Sequence, residues 1–154
     1  MKELNKLLMN MKLLRDPQKG CPWNKVQTID SIKAFTLEEA YEVVDAIDRN
    51  DIEGLKNELG DLLFHIIFYT EMADENDHFN FHDVLKDLNE KLERRHPNVF
   101  TNNKVVNVEQ VKTLWEEIKQ QERNNRVNKS INLLDDVDKH MPAIIRAEKL
   151  QKCA

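Results

Sequence analysis

A chain of 154 residues, 40% hydrophobic and 33% charged, has enough apolar mass for one core, and its mean hydropathy of -0.66 marks a polar surface. A net charge of -5 with no lysine or arginine tract argues against a nucleic-acid partner. Only three Gly and four Pro occur, a scarcity of turn residues that favours long helices over many short strands, so the expected class is all-α. The N-terminal residues lack the apolar core of a signal peptide, and the longest oily stretch, 62–69, is interrupted by His65 and too short to span a bilayer. The expectation is a cytoplasmic protein with no membrane partner. Cys21 and Cys153 show no metal-type spacing and are read as reduced thiols.

In chain order, a first amphipathic helix is predicted over 3–15, with Leu4, Leu7, Leu8, Met11 and Leu14 on one face. The run from Asp16 to Asn24, rich in Pro and Gly, breaks it. Helical periodicity then covers 28–49 and 52–75, and the short break between them predicts an antiparallel hairpin. Asn80 is a candidate cap for a helix over 81–95 that Pro97 ends, followed by a loop over 98–106. Asn107 is a candidate cap for a helix through Trp115 to about residue 123, after which 124–138 reads as a polar, mobile stretch. A last helix is expected over 139–151 with Pro142 in its first turn. It stops without a capping residue, the pattern of a chain that continues. The expected organisation is one domain over 1–125, then a linker and helix over 126–154.

The hairpin carries the chemistry. Glu39 and Glu42 are spaced i, i+3, as are Glu58 and Asp61, so each pair shares one helix face. With the turn centred on residue 50, residues whose numbers sum to 100 lie at one height, which sets Glu42 opposite Glu58 and Glu39 opposite Asp61. Like charges brought together this way repel and tend to hold protons unless a cation neutralises them. Mg²⁺ takes oxygen ligands, keeps several waters and leaves room for phosphates, with Mn²⁺ as a substitute. A solvated acidic face is the common alternative for Glu-rich helices. Here the acids border an apolar stripe that includes Leu37, Ala40, Val43, Leu59 and Leu62.

The run Gly20-Cys21-Pro22-Trp23-Asn24 with Gln27-Thr28, the run from Leu37 to Ile47, and Glu58-Leu59-Gly60-Asp61 together resemble the MazG family of nucleoside triphosphate pyrophosphohydrolases. The blocks from Lys91 to Phe100 and from Trp115 to Lys119 extend the resemblance over nearly the whole chain. It implies an all-α helical bundle built on the hairpin and completed by dimerisation. It also implies Mg²⁺-dependent hydrolysis of a nucleoside triphosphate between the α and β phosphates, giving a monophosphate and pyrophosphate. Carried over by motif, Glu39, Glu42, Glu58 and Asp61 are metal ligands and Glu38 positions or deprotonates water. Lys91, Arg94 and Arg95 share a face suited to phosphate oxygens, or to complementing the helix dipole. Trp115 and Lys119 are placed near the nucleotide, although a tryptophan at that spacing is more often a packing residue. Trp23 is read as a loop anchor and His65 as a satisfied, partly buried histidine.

Asn24 departs from the acidic residue the family commonly has there. Residues Pro142 to Gln151 resemble the joint that leads into a second copy of the fold in two-domain members, so a catalytically weak dimerisation or nucleotide-sensing half is the alternative function. A di-iron bundle would call for Glu-x-x-His motifs, and the hairpin has none.

Overall fold

The computed structural model describes residues 2–101, 107–125 and 141–153. Eight helices and no strand occur among them: α1 (Lys2–Arg15), α2 (Pro22–Val26), α3 (Lys33–Asp48), α4 (Ile52–Asp74), α5 (Phe81–Arg95), α6 (Pro97–Phe100), α7 (Val108–Asn125) and α8 (Ala143–Cys153). The all-α expectation holds for these residues, and no helix among them is long and apolar enough to cross a membrane. The chain divides into two compact units, Met1–Lys91 and Leu92–Ala154, with the division falling inside α5.

In the first unit, α1 turns Leu4, Leu7, Leu8 and Met11 inward, as its periodicity predicts, against Ile67, Phe68 and Met72 of α4. Met11, Ile32, Ile67 and Phe68 are almost wholly excluded from solvent. Burying side chains of this size contributes roughly 1.5–3 kcal/mol each. α3 and α4 form the antiparallel hairpin. Its turn puts Asn50 in the left-handed region at φ 54°, where Asn is tolerated better than most residues. Asp51 caps α4 by accepting a hydrogen bond from the Gly54 amide at 2.8 Å.

The helix predicted from residue 28 starts at Lys33 instead. Thr28 and Ser31 exchange side-chain and backbone hydrogen bonds (Thr28 N to Ser31 Oγ 2.9 Å, Ser31 N to Thr28 Oγ1 3.1 Å), and such local bonding competes with helical turns. α2 precedes this turn with Pro22 in its first turn.

A single residue of α1 ties down the segment around α2. Arg15 donates to both oxygens of Glu75 (2.5 and 2.6 Å) and to the carbonyls of Asn24 and Gln27, and its guanidinium stacks over Phe68. Gly20 is required beside it, because a Cβ there would lie 2.5 Å from the Leu14 carbonyl oxygen. Trp23 packs edge-on against Phe35, at 6.1 Å between ring centroids, which agrees with its reading as a loop anchor.

Asn80 caps α5 through the amides of His82 and Asp83, while Asp83 accepts from the Asn80 amide. In the second unit, Asn107 caps α7 by accepting from the Gln110 amide at 2.9 Å. Pro97 ends α5 but also begins α6, within what the sequence suggested was loop, because proline costs nothing where the amide lacks a helical partner. α7 continues through residue 125, and the remainder of the polar stretch, 126–138, lies outside the described residues, as do 102–106 of the expected loop. α8 begins at Ala143 rather than 139, with residues 139 and 140 outside the described part. Pro142 stands just before α8, its carbonyl accepting from the Arg146 amide at 2.9 Å.

Candidate metal centre

α3 and α4 bring the acids together as the hairpin register requires. Oxygens of Glu39, Glu58 and Asp61 lie within 4.8 Å of one another. Glu42, the fourth expected ligand, is not one of these three, but its charge is felt by both Glu39 and Glu58. The Glu39 carboxyl is pushed above its ordinary range by burial first, then by the charges of Glu42, Asp61 and Glu58. Glu58 moves the same way, from desolvation and then Glu42 and Asp61. A donor set made only of carboxylate oxygens, close enough to hinder one another's ionisation, suits a hard divalent cation. Glu38 is exposed on α3 and is not one of the three converging residues.

The mirror register is only approximate. Thr36 Oγ1 meets the Tyr69 hydroxyl at 2.7 Å, and Glu39 Oε1 lies 3.7 Å from His65 Nε2, so partner numbers sum to more than 100. The cause is the lean of helical side chains toward their own N-terminus. In an antiparallel pair the two leans oppose, and contacts shift farther along α4. Glu39 therefore reaches both Asp61 and His65. The expectation of a satisfied histidine is corrected here: His65 is buried at 6% exposure and its Nδ1 has no hydrogen-bond partner.

Of the expected phosphate-binding residues, Lys91 is exposed in the first unit. Arg94, Arg95, Trp115 and Lys119 belong to the second unit. There, Arg94 and Arg95 are both paired with Glu122, at 2.6 and 2.7 Å. The sequence reading missed Glu122, since nothing in spacing alone links it to α5. Trp115 is 40% exposed, with Lys119 Nζ 5.9 Å from its ring centroid and the His96 ring 6.0 Å away, centroid to centroid. The i, i+4 pairing on α7 thus forms a cation–π contact, and Lys119 also bonds Glu116.

Residues 27–100 match the model of the MazG nucleotide pyrophosphohydrolase domain. The chain is 48% identical over 155 residues to a nucleoside triphosphate pyrophosphohydrolase of Escherichia coli (strain K12), an alignment covering 100% of this chain and 58% of that protein. It is 37% identical over 148 residues to the nucleoside triphosphate pyrophosphohydrolase/pyrophosphatase MazG of Thermotoga maritima, covering 96% of this chain and 55% of that one. The chain thus spans little more than half the length of these curated relatives. The crystal structure of a mazG-related protein from Thermotoga maritima matches with a TM-score of 0.63 at 24% identity, over 78% of this chain and 99% of that one, a likeness of fold. Residues 27–100, which carry the acidic hairpin, thus form a MazG domain, and the chain is similar over its length to these MazG-family proteins.

Proposed function

We propose that this chain is a nucleoside triphosphate pyrophosphohydrolase domain that cleaves between the α and β phosphates, releasing a nucleoside monophosphate and pyrophosphate with Mg²⁺ as cofactor and Mn²⁺ as substitute. The observation that carries the reading is the convergence of Glu39, Glu58 and Asp61 oxygens within 4.8 Å, with Glu42 adjoining. Names given to relatives, among them the Escherichia coli protein, support the reaction class.

In this reading Glu39, Glu42, Glu58 and Asp61 hold the cation and Glu38 orients or deprotonates the attacking water. A bound divalent ion supplies charge neutralisation and a more acidic water. Lys91, Arg94, Arg95 and Lys119 are the cations proposed to bind a polyphosphate, Arg94 and Arg95 by exchanging Glu122 for phosphate oxygens, and Trp115 offers a 40% exposed ring to the nucleotide. Residues 1–125 form the catalytic domain in this reading. A homodimer is part of the proposal: Leu37, Tyr41 and Val44 of α3 and Leu59, Leu63 and Ile66 of α4 are large apolar side chains left exposed on the hairpin.

Assay of pyrophosphate release from each NTP and dNTP with Mg²⁺ tests the reaction, and Glu39→Ala is expected to abolish it. No release from any nucleotide rejects catalysis. A second reading, a catalytically weak nucleotide-sensing or dimerisation half, is favoured by one observation: Glu122 already occupies the Arg94 and Arg95 guanidiniums. It predicts nucleotide binding without turnover.

A further inference from the structure

Among the described residues, His65 is the one buried titratable side chain that the proposed chemistry leaves without a task. It stands one helical turn beyond Asp61 on α4, its side chain only 7% exposed, with Nε2 facing Glu39 Oε1 across 3.7 Å. The Phe64 ring meets the imidazole edge-on at 5.7 Å. Its other nitrogen, Nδ1, is buried with no hydrogen-bond partner. Leaving a polar atom unmatched in the interior costs free energy, so a side chain serving only to fill space would be better replaced by an apolar one. What the imidazole provides in return is a polar atom aimed at a carboxylate of the acidic cluster.

We propose that His65 is the positioning residue for Glu39, its Nε2–H directing Oε1 so that the carboxylate is held in one orientation toward a divalent cation. The inference rests on the metal-centre reading. Hydrogen-bond length requires the 3.7 Å gap to close by roughly 0.8 Å, which a small torsional adjustment of the Glu39 side chain supplies. Carboxylates that ligate metals are themselves held by hydrogen bonds, and loss of such an outer partner commonly weakens metal binding by about 10–100-fold. With Oε1 engaged by the imidazole, Oε2 stays available to the cation. Nδ1, lacking any partner, is then the unprotonated nitrogen, since a buried N–H with nothing to donate to is the costlier choice.

Mn²⁺ binding to the metal-stripped full chain, read from the EPR signal of free Mn²⁺ with no nucleotide present, tests this. His65→Leu is expected to weaken binding by about tenfold or more while the far-UV circular dichroism is unchanged. His65→Gln, whose amide N–H can stand where Nε2–H does, is expected to restore most of the affinity. Wild-type affinity in His65→Leu, or equal weakness in both variants, overturns the proposal. Should His65→Leu not fold, His65→Met gives the same comparison. Imidazole ¹⁵N shifts of the unmodified protein provide an independent reading: a proton on Nε2 is expected, and one confined to Nδ1 overturns the assignment. If the unmodified chain binds no Mn²⁺, or Glu39→Gln binds it as well as wild type does, the metal-centre reading itself fails and takes this inference with it.

Discussion

Arg95 donates to Glu122 through Nη2, 2.7 Å from Oε2, and through Nε, shared between Oε2 at 3.2 Å and Oε1 at 3.4 Å, while Arg94 Nε takes Oε1 at 2.6 Å. The hydrogen bond from Arg95 is the main cause that brings the Glu122 carboxyl down to about 2. A carboxylate whose pKa is lower folded than unfolded adds stability above its unfolded value of about 4.3, and that contribution is lost as pH falls toward 2. Glu122→Gln is expected to cost about 1 kcal/mol at neutral pH, since the pair is partly solvated. Urea titrations of both proteins should show the difference shrinking toward the acid limit. An undiminished difference there would count against the clamp.

The acidic cluster has the opposite sign. Glu39 and Glu58 have raised folded pKa values, so the folded chain binds their protons more readily than the unfolded chain does. The penalty is present at neutral pH and is relieved as pH falls through the raised values toward the ordinary carboxylate range. Without metal, mild acidification should therefore raise the melting temperature until other groups titrate. Glu58→Gln should raise the metal-free melting temperature by about 1 °C, the scale of one like-charge pair, and should diminish the rise produced by Mg²⁺. Thermal melts with and without Mg²⁺ decide it.

The hairpin turn should be sensitive at two adjacent positions for different reasons. Asn50 sits at φ 54°, so Asn50→Val is expected to cost about 1–2 kcal/mol in backbone strain. Asp51→Ala removes the cap on Gly54 N and is expected to cost about 1 kcal/mol. Asn50→Gly should be neutral or slightly stabilising. Equilibrium denaturation of the three variants separates backbone strain from capping, because only the first depends on a Cβ.

Arg15→Lys is expected to destabilise by about 2 kcal/mol despite keeping the charge, because an ammonium cannot serve Glu75 and the carbonyls of Asn24 and Gln27 together. Gly20→Ala should cost about 1–3 kcal/mol, its methyl colliding with backbone rather than with a side chain that can move. Both changes should increase proteolytic cleavage between residues 16 and 28, and unaltered protection in Arg15→Lys would show that the latch is not what orders this segment.

The hairpin and its acids were legible because both depend on local periodicity and on a turn too short to allow another arrangement. The inward face of α1 and the caps at Asn80 and Asn107 were legible for the same reason. Contacts made across long sequence separations were not. Arg15 with Glu75 and Arg95 with Glu122 have no counterpart in spacing, since a charged residue at a helix end looks alike whether solvated or paired. His65 shows the limit most clearly: a histidine on an apolar face suggested a satisfied interior residue. The opposed lean of side chains on two antiparallel helices is what carries it to Glu39.

The brevity of the link between Asp48 and Ile52 makes the pair of helices a gauge. One residue inserted within either helix between Glu42 and Glu58 would move the acids beyond it about 1.5 Å along the axis and turn them through about 100°, away from their partners. The charged outward positions of α3 and α4 that lie outside both the acidic cluster and the exposed apolar patch can change composition while that gauge survives. Evolution of such a scaffold should therefore accept substitutions at those positions and admit insertions elsewhere, while holding the number of residues between Glu42 and Glu58 nearly fixed.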